Sequence, residues 1–168
     1  LKLNKAIPPF QRKKGHFVVD DTLGISLLTA TAFNEKSDNY LLVAPNLYKA
    51  QQIYNFLTYF INAESVYLFP ADELIRAEVI AQSKEMVAQR LYVLSKIKDT
   101  TPKIIVTCVA AATRYLPKPE YFENKTITFE VGKSYDLTKE KKLLVKSGYL
   151  NVSKVDSSLE FANRGDIL

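Results

Sequence analysis

YLLVAPNLYKAQQIYNFLTYFI, residues 40–61, changes its hydrophobic period halfway. Tyr40–Ala44 is a nearly continuous apolar run, the pattern of a short strand buried on both faces. Beyond Pro45 the period becomes helical: Leu47, Ala50, Ile53/Tyr54, Leu57 and Phe60/Ile61 recur at spacings of three and four, with Asn46 placed to cap the helix. Two more short apolar runs follow, Val66–Phe69 and Ile104–Val109. Between them EVIAQSKEMVAQRLYVLSKI carries a second helical stripe through Val87, Leu91, Leu94 and Ile97. Strands that alternate with helices imply a parallel sheet with right-handed crossovers, so the first unit reads as α/β.

Upstream, TLGISLLTATAF (Thr22–Phe33) follows the strand-like HFVV, where a nucleotide-binding α/β protein would place its phosphate loop. Such a loop needs two glycines five positions apart and then Lys and Ser/Thr, so that backbone N–H groups and an ammonium surround the phosphates. Gly24 stands alone, followed by Ile25 and Ser26, and no lysine comes before Lys36. The residues a phosphate loop requires are absent from this stretch.

The texture changes at LPKPEYF (Leu116–Phe122), where two close prolines mark a boundary. Beyond it come a strand-like TITFEV, a helix around DLTKEKKLLVKSGY and a strand-like SLEFANRGDIL that reads as cut off midway. Asp136 is expected to cap this helix, Leu143 and Leu144 to give it an apolar face, and Gly148 to end it. The organisation is therefore an N-terminal arm (1–15), an α/β domain (16–116) and a small α+β domain (117–168).

The 168 residues are 47% hydrophobic and 24% charged, a globular composition, and no apolar run approaches the roughly 20 residues of a membrane span. The formal charge of +5 is local: Lys2, Lys5, Arg12, Lys13 and Lys14 precede any acid, and the rest of the chain balances. A solvated arm is the plain reading of that cluster, and a salt-dependent contact with DNA or RNA the alternative. Cys108 lies in IIVTCV and reads as a buried structural thiol.

Three lookalikes carry little. Gly132-Lys133-Ser134 has Ile127 where the loop's first glycine belongs. In VYLFPADE, Pro70 and Ala71 separate the apolar run from Asp72 and Glu73, which suit the start of a helix better than a magnesium site. Arg164-Gly165-Asp166 spells an integrin ligand with no secretion signal before it. His16 has no second histidine with which to share a metal, and no Cys–His or Ser–His–Asp set is evident. The segment is expected to catalyse nothing and to hold no metal.

YLLVAPNLYKAQQIYNFL, VYLFPADELIRAEVIAQSKEMVAQRLYVLSKI and IIVTCVAAATRYLPKPEYF together resemble the N-terminal region of the bacterial transcription-repair coupling factors (Mfd). The closing LLVKSGYLNVSKVDSSLEFANRGDIL is similar to that family's second domain, which runs into a strand of the form G-E-F/Y-x-x-R-G. The resemblance implies a UvrB-like layout (domains 1a and 2): a helicase-like parallel-sheet domain whose phosphate loop has degenerated at Gly24, Ile25 and Ser26, then a domain that recruits UvrA. It implies an adaptor in transcription-coupled nucleotide excision repair, bacterial and cytoplasmic. ATP and magnesium would serve a distant translocase motor, RNA polymerase and DNA would be met by other domains, and a C-terminal domain would mask the UvrA surface. The residue best matched to the family's binding pattern is Arg164, with Phe161 and Asn163 beside it and Tyr149 framing the patch. Two departures stand out: Leu150 where many relatives have a basic residue, and Leu159 where a glycine is usual. The alternative is a UvrB-like damage-recognition subunit, or a DNA-binding module using the basic arm.

Overall fold

The computed structural model describes residues 16, 18–71, 83–123 and 126–168. The basic arm, the Asp72–Glu73 pair and the start of the EVIAQ pattern lie outside the described residues. Helix α1 (Thr22–Glu35) is followed by strand β1 (Tyr40–Ala44), helix α2 (Leu47–Phe60), a 3-10 turn (Ala63–Ser65) and β2 (Val66–Phe69). Helix α3 (Lys84–Lys96), β3 (Ile104–Cys108) and the short helix α4 (Val109–Ala112) complete the first unit. The sheet is wholly parallel with β3 central, in the order β1-β3-β2.

The alternation read from Tyr40–Ile61 is the alternation observed. β1 and β2 have the expected limits, and β3 is one residue shorter because Val109 opens α4. Asn46 caps α2 by accepting from the Lys49 N–H at 2.8 Å. The helix lays Ala50, Ile53 and Leu57 onto the sheet and against α1. Ile104, Val106 and Cys108 are fully buried, as a central parallel strand requires. Thr107 ties β3 to β2 by donating its hydroxyl to the Phe69 carbonyl at 2.8 Å.

The phase of α3 differs from the expected stripe. Leu91 and Ile97 are exposed and Val93 is the buried residue. The physical reason is Arg90, whose guanidinium lies 4.4 Å from the Phe69 ring centroid and donates to the Pro70 carbonyl at 2.8 Å. Anchoring Arg90 on β2 turns Val93, one helical step further, inward. One side of the sheet is uncovered among the described residues: Leu41 is 64% exposed and Val43 48%. There an apolar cleft of about 370 Å3 runs between Ile105, Thr107, Val93, Ile97 and Leu116.

HFVV forms no strand in its described residues, and Val18 is exposed. TITFEV is likewise not a strand. Among the described residues it has no partner strand; Tyr135 serves instead, its hydroxyl accepting from the Glu130 N–H at 2.7 Å while its ring packs edge-on against Phe129. The second unit holds α5 (Pro119–Glu123), α6 (Leu137–Lys146), and two short parallel strands, β4 (Leu150–Asn151) and β5 (Glu160–Phe161). Of the strand-like SLEFANRGDIL, only Glu160 and Phe161 pair in a ladder.

Candidate functional site

The candidate face is built from α6 outward. Asp136 caps the helix, accepting from Thr138 and Lys139 N–H groups at 2.9 and 3.2 Å. At the other end the Tyr149 N–H reaches back to the Leu144 carbonyl and the Gly148 N–H to that of Val145, a paired closure that requires a left-handed residue at position 148. Gly148 supplies it at φ +92°. The chain is thereby aimed into β4, which pairs with β5 through Leu150 N–H to Leu159 O and Val152 N–H to Phe161 O, both 2.9 Å. Leu159 holds φ +62°, a conformation costing an L-residue about 1 kcal/mol and a glycine nothing. The start of β5 is thus reached under strain.

Glu160 sits in a dense cluster. Its carboxylate accepts from the Ser157 hydroxyl at 2.6 Å, from the Lys84 ammonium at 2.9 Å, and from the Ser157 and Asp156 backbone N–H groups. The Ser157 hydroxyl first, and then Lys84, hold its pKa down from 4.5 to about 2. A carboxyl whose folded pKa is depressed contributes stability above its unfolded pKa and loses it as pH falls through the folded value. The expected result is a fall in thermal midpoint between pH 4.5 and about 2 that Glu160→Gln flattens. Parallel slopes for both proteins in a pH series of melting curves would overturn it.

Past β5 the chain closes a tight turn. Arg164 and Ile167 exchange both backbone hydrogen bonds, at 3.0 and 3.1 Å. Asn163 braces the turn from inside, its amide donating to the Gly165 and Ile167 carbonyls at 2.8 and 3.0 Å. Its oxygen accepts from the Lys141 ammonium of α6 at 2.9 Å. The Arg164 backbone is therefore fixed, while its exposed guanidinium has no hydrogen-bond or ion-pair partner among the described residues. A rigid mount carrying an unspent planar donor fork suits a carboxylate or carbonyl on another molecule.

Phe161, Asn163 and Arg164 thus lie on one strand and turn, with Phe161 only 6% exposed and serving as their footing. Tyr149 is half-buried one residue before β4; by register it stands beside Leu159, at the opposite end of β5 from Arg164. The α6 lysines and the link from Lys141 to Asn163 were not singled out in the sequence. The lysine spacing was visible there, but only the fold brings positions 141 and 163 together.

Gly24, Ile25 and Ser26 lie in the first turns of α1. The Asp21 carboxylate accepts from the Gly24 N–H at 2.7 Å, so a negative charge already occupies the helix N-terminus. A Cβ at position 24 would stand 2.5 Å from Val19 Cγ1, which explains a glycine there by close approach. Ser26 is fully buried, donating to the Thr22 carbonyl at 2.7 Å. Ile25 packs partly buried against the core. Lys133 is exposed and paired with Glu130. Cys108 is a buried free thiol, as expected. Among the described residues no group of three or more His, Cys, Asp or Glu could hold a metal, and no helix is long and apolar enough to cross a membrane.

No protein-family model matches the chain. It is similar to the transcription-repair-coupling factor of Bacillus subtilis (strain 168), 34% identical over 143 residues, which is 85% of this chain and 12% of that protein. Transcription-repair-coupling factors of Staphylococcus aureus strains RF122 and USA300 are each 26% identical over 141 residues, 84% of this chain and 12% of theirs. The chain spans about 12% of the length of the curated relatives it matches.

Proposed function

The chain belongs by sequence with the transcription-repair-coupling factors, and from that premise we propose that it is their N-terminal adaptor segment, which recruits UvrA through its second unit. Its work is docking, not catalysis. In the whole protein a separate ATP-dependent translocase would act on DNA and on stalled RNA polymerase in the cytoplasm, and this segment would bring excision repair to the same place. A C-terminal domain of the whole protein would cover the docking face until the motor engages.

The observation that carries this reading is Arg164: exposed, unpaired among the described residues, and mounted on a turn braced by Asn163. The first unit supports it from the other side. Where a nucleotide-binding relative would need open backbone N–H groups, α1 begins with the Asp21 carboxylate on the Gly24 N–H and a buried Ser26. That arrangement repels a phosphate, and it suits a scaffold that has kept the layered fold without the nucleotide.

Calorimetry of the chain with purified UvrA tests the proposal. Wild type should bind, and Arg164→Ala should weaken binding at least tenfold, about 1.4 kcal/mol. Binding that survives the substitution unchanged would move the site away from Arg164, and absence of wild-type binding would refute the adaptor reading.

A further inference from the structure

Helix α6 holds four lysines and one glutamate in ten residues. Lys139, Lys142 and Lys146 are exposed at spacings of three and four, along one edge of an open groove of about 690 Å3. The groove also has an apolar lining, from Leu143 and Val145 of the helix and Phe161 of β5.

Several exposed lysines elsewhere have answering carboxylates: Lys36 with Asp38, Lys133 with Glu130, Lys154 with Asp156. Lys139, Lys142 and Lys146 have none among the described residues. Of the nearby acids, Asp136 is committed to the helix cap and Glu160 to Lys84, and Glu140 of the same helix forms no ion pair with the three lysines among the described residues. Like charges three and four residues apart oppose the helix that carries them, and an opposite charge laid alongside relieves that repulsion.

We infer that this lysine row is the electrostatic half of the docking face, receiving an acidic segment of the protein partner with aliphatic side chains among its carboxylates. The inference rests on the adaptor reading and specifies the chemistry of the partner's surface. Charge alone would suit a phosphate backbone equally, but a phosphate backbone offers nothing to cover Val145 and Leu143, whereas a peptide segment covers them and meets the ammonium groups together. The hydrogen bond from Lys141 to Asn163 ties the helix that carries the row to the Arg164 turn. Exposed charges at a rim act chiefly on encounter, and a guanidinium that becomes paired and buried in the complex acts chiefly on dwell time.

The test is stopped-flow association with UvrA at low and high salt, using wild type, Arg164→Ala, the triple variant Lys139→Gln/Lys142→Gln/Lys146→Gln, and the corresponding triple Lys→Arg. A DNA duplex serves as the parallel probe. At low salt the Gln triple should associate at least tenfold more slowly, the difference shrinking at high salt, while the Arg triple associates like wild type. Glutamine is a good helix former, so circular dichroism should show α6 intact. Wild-type association by the Gln triple, with Arg164→Ala still impaired, would overturn the inference and leave the adaptor reading standing. Loss of duplex binding with UvrA association unchanged would also overturn it, assigning the row to nucleic acid. Failure of wild type itself to bind UvrA would overturn both.

Discussion

Leu57→Ala is expected to lower the free energy of unfolding by about 2–5 kcal/mol. Leu57 is fully buried on α2, the helix that lies between α1 and all three strands of the sheet. Alanine is a better helix former, so nothing is lost along α2 itself; the cost is the transfer free energy of the missing carbons plus the cavity they leave. That cavity opens where α2, β2 and β3 converge, and collapse would require two layers to move together. A globular domain holds only about 5–15 kcal/mol in reserve, so a loss of this size depletes much of it. Urea unfolding followed by circular dichroism checks the expectation: the midpoint should fall with an unchanged slope. A loss under about 1 kcal/mol would mean that the layers close over the gap far more readily than a core of this density does.

Ser26→Leu should be nearly as damaging, for the opposite reason. Ser26 is fully buried where α1 comes close to α2, its hydroxyl 2.7 Å from the Thr22 carbonyl and 3.4 Å from that of Ile53. The neighbours that a larger side chain would meet are therefore backbone atoms, which yield only if the helices separate. Overpacking of this kind costs about 1–3 kcal/mol. Ser26→Ala removes the hydroxyl without adding volume and should cost about 1 kcal/mol or less. The two variants, compared by thermal melting, separate volume from hydrogen bonding; equal midpoints would show that the helices are not held at this separation.

The first unit was largely legible in the sequence because its strands are buried runs between clear breaks. Pro45 and Asn46 end β1, Pro70 follows β2, and Pro102 precedes β3. The α2 stripe was legible because a single face is apolar. The phase of α3 was not: Leu91, Val93, Leu94 and Ile97 crowd more than one face, and the rotation is chosen by Arg90 on Phe69, a contact across 21 residues. TITFEV misled because β propensity without a partner strand fixes no ladder. For the candidate face, the sequence pointed to Arg164 only through a resemblance, since one arginine in a polar stretch has no periodicity to distinguish it. What sets it apart is the Asn163 brace and the absence of a partner among the described residues, both of which depend on how the chain returns to α6.

The ion pair between Lys84 and Glu160 has a mechanical consequence. It fastens β5 to the first residue of α3 across 76 positions of chain, as a latch fastens a door. Whatever grips the Arg164 turn pulls along β5, and the latch delivers that pull to α3 and thence to β2, on which α3 is pinned by Arg90. Releasing the latch, by protonating Glu160 or by screening the pair with salt, would undo this tie between β5 and α3.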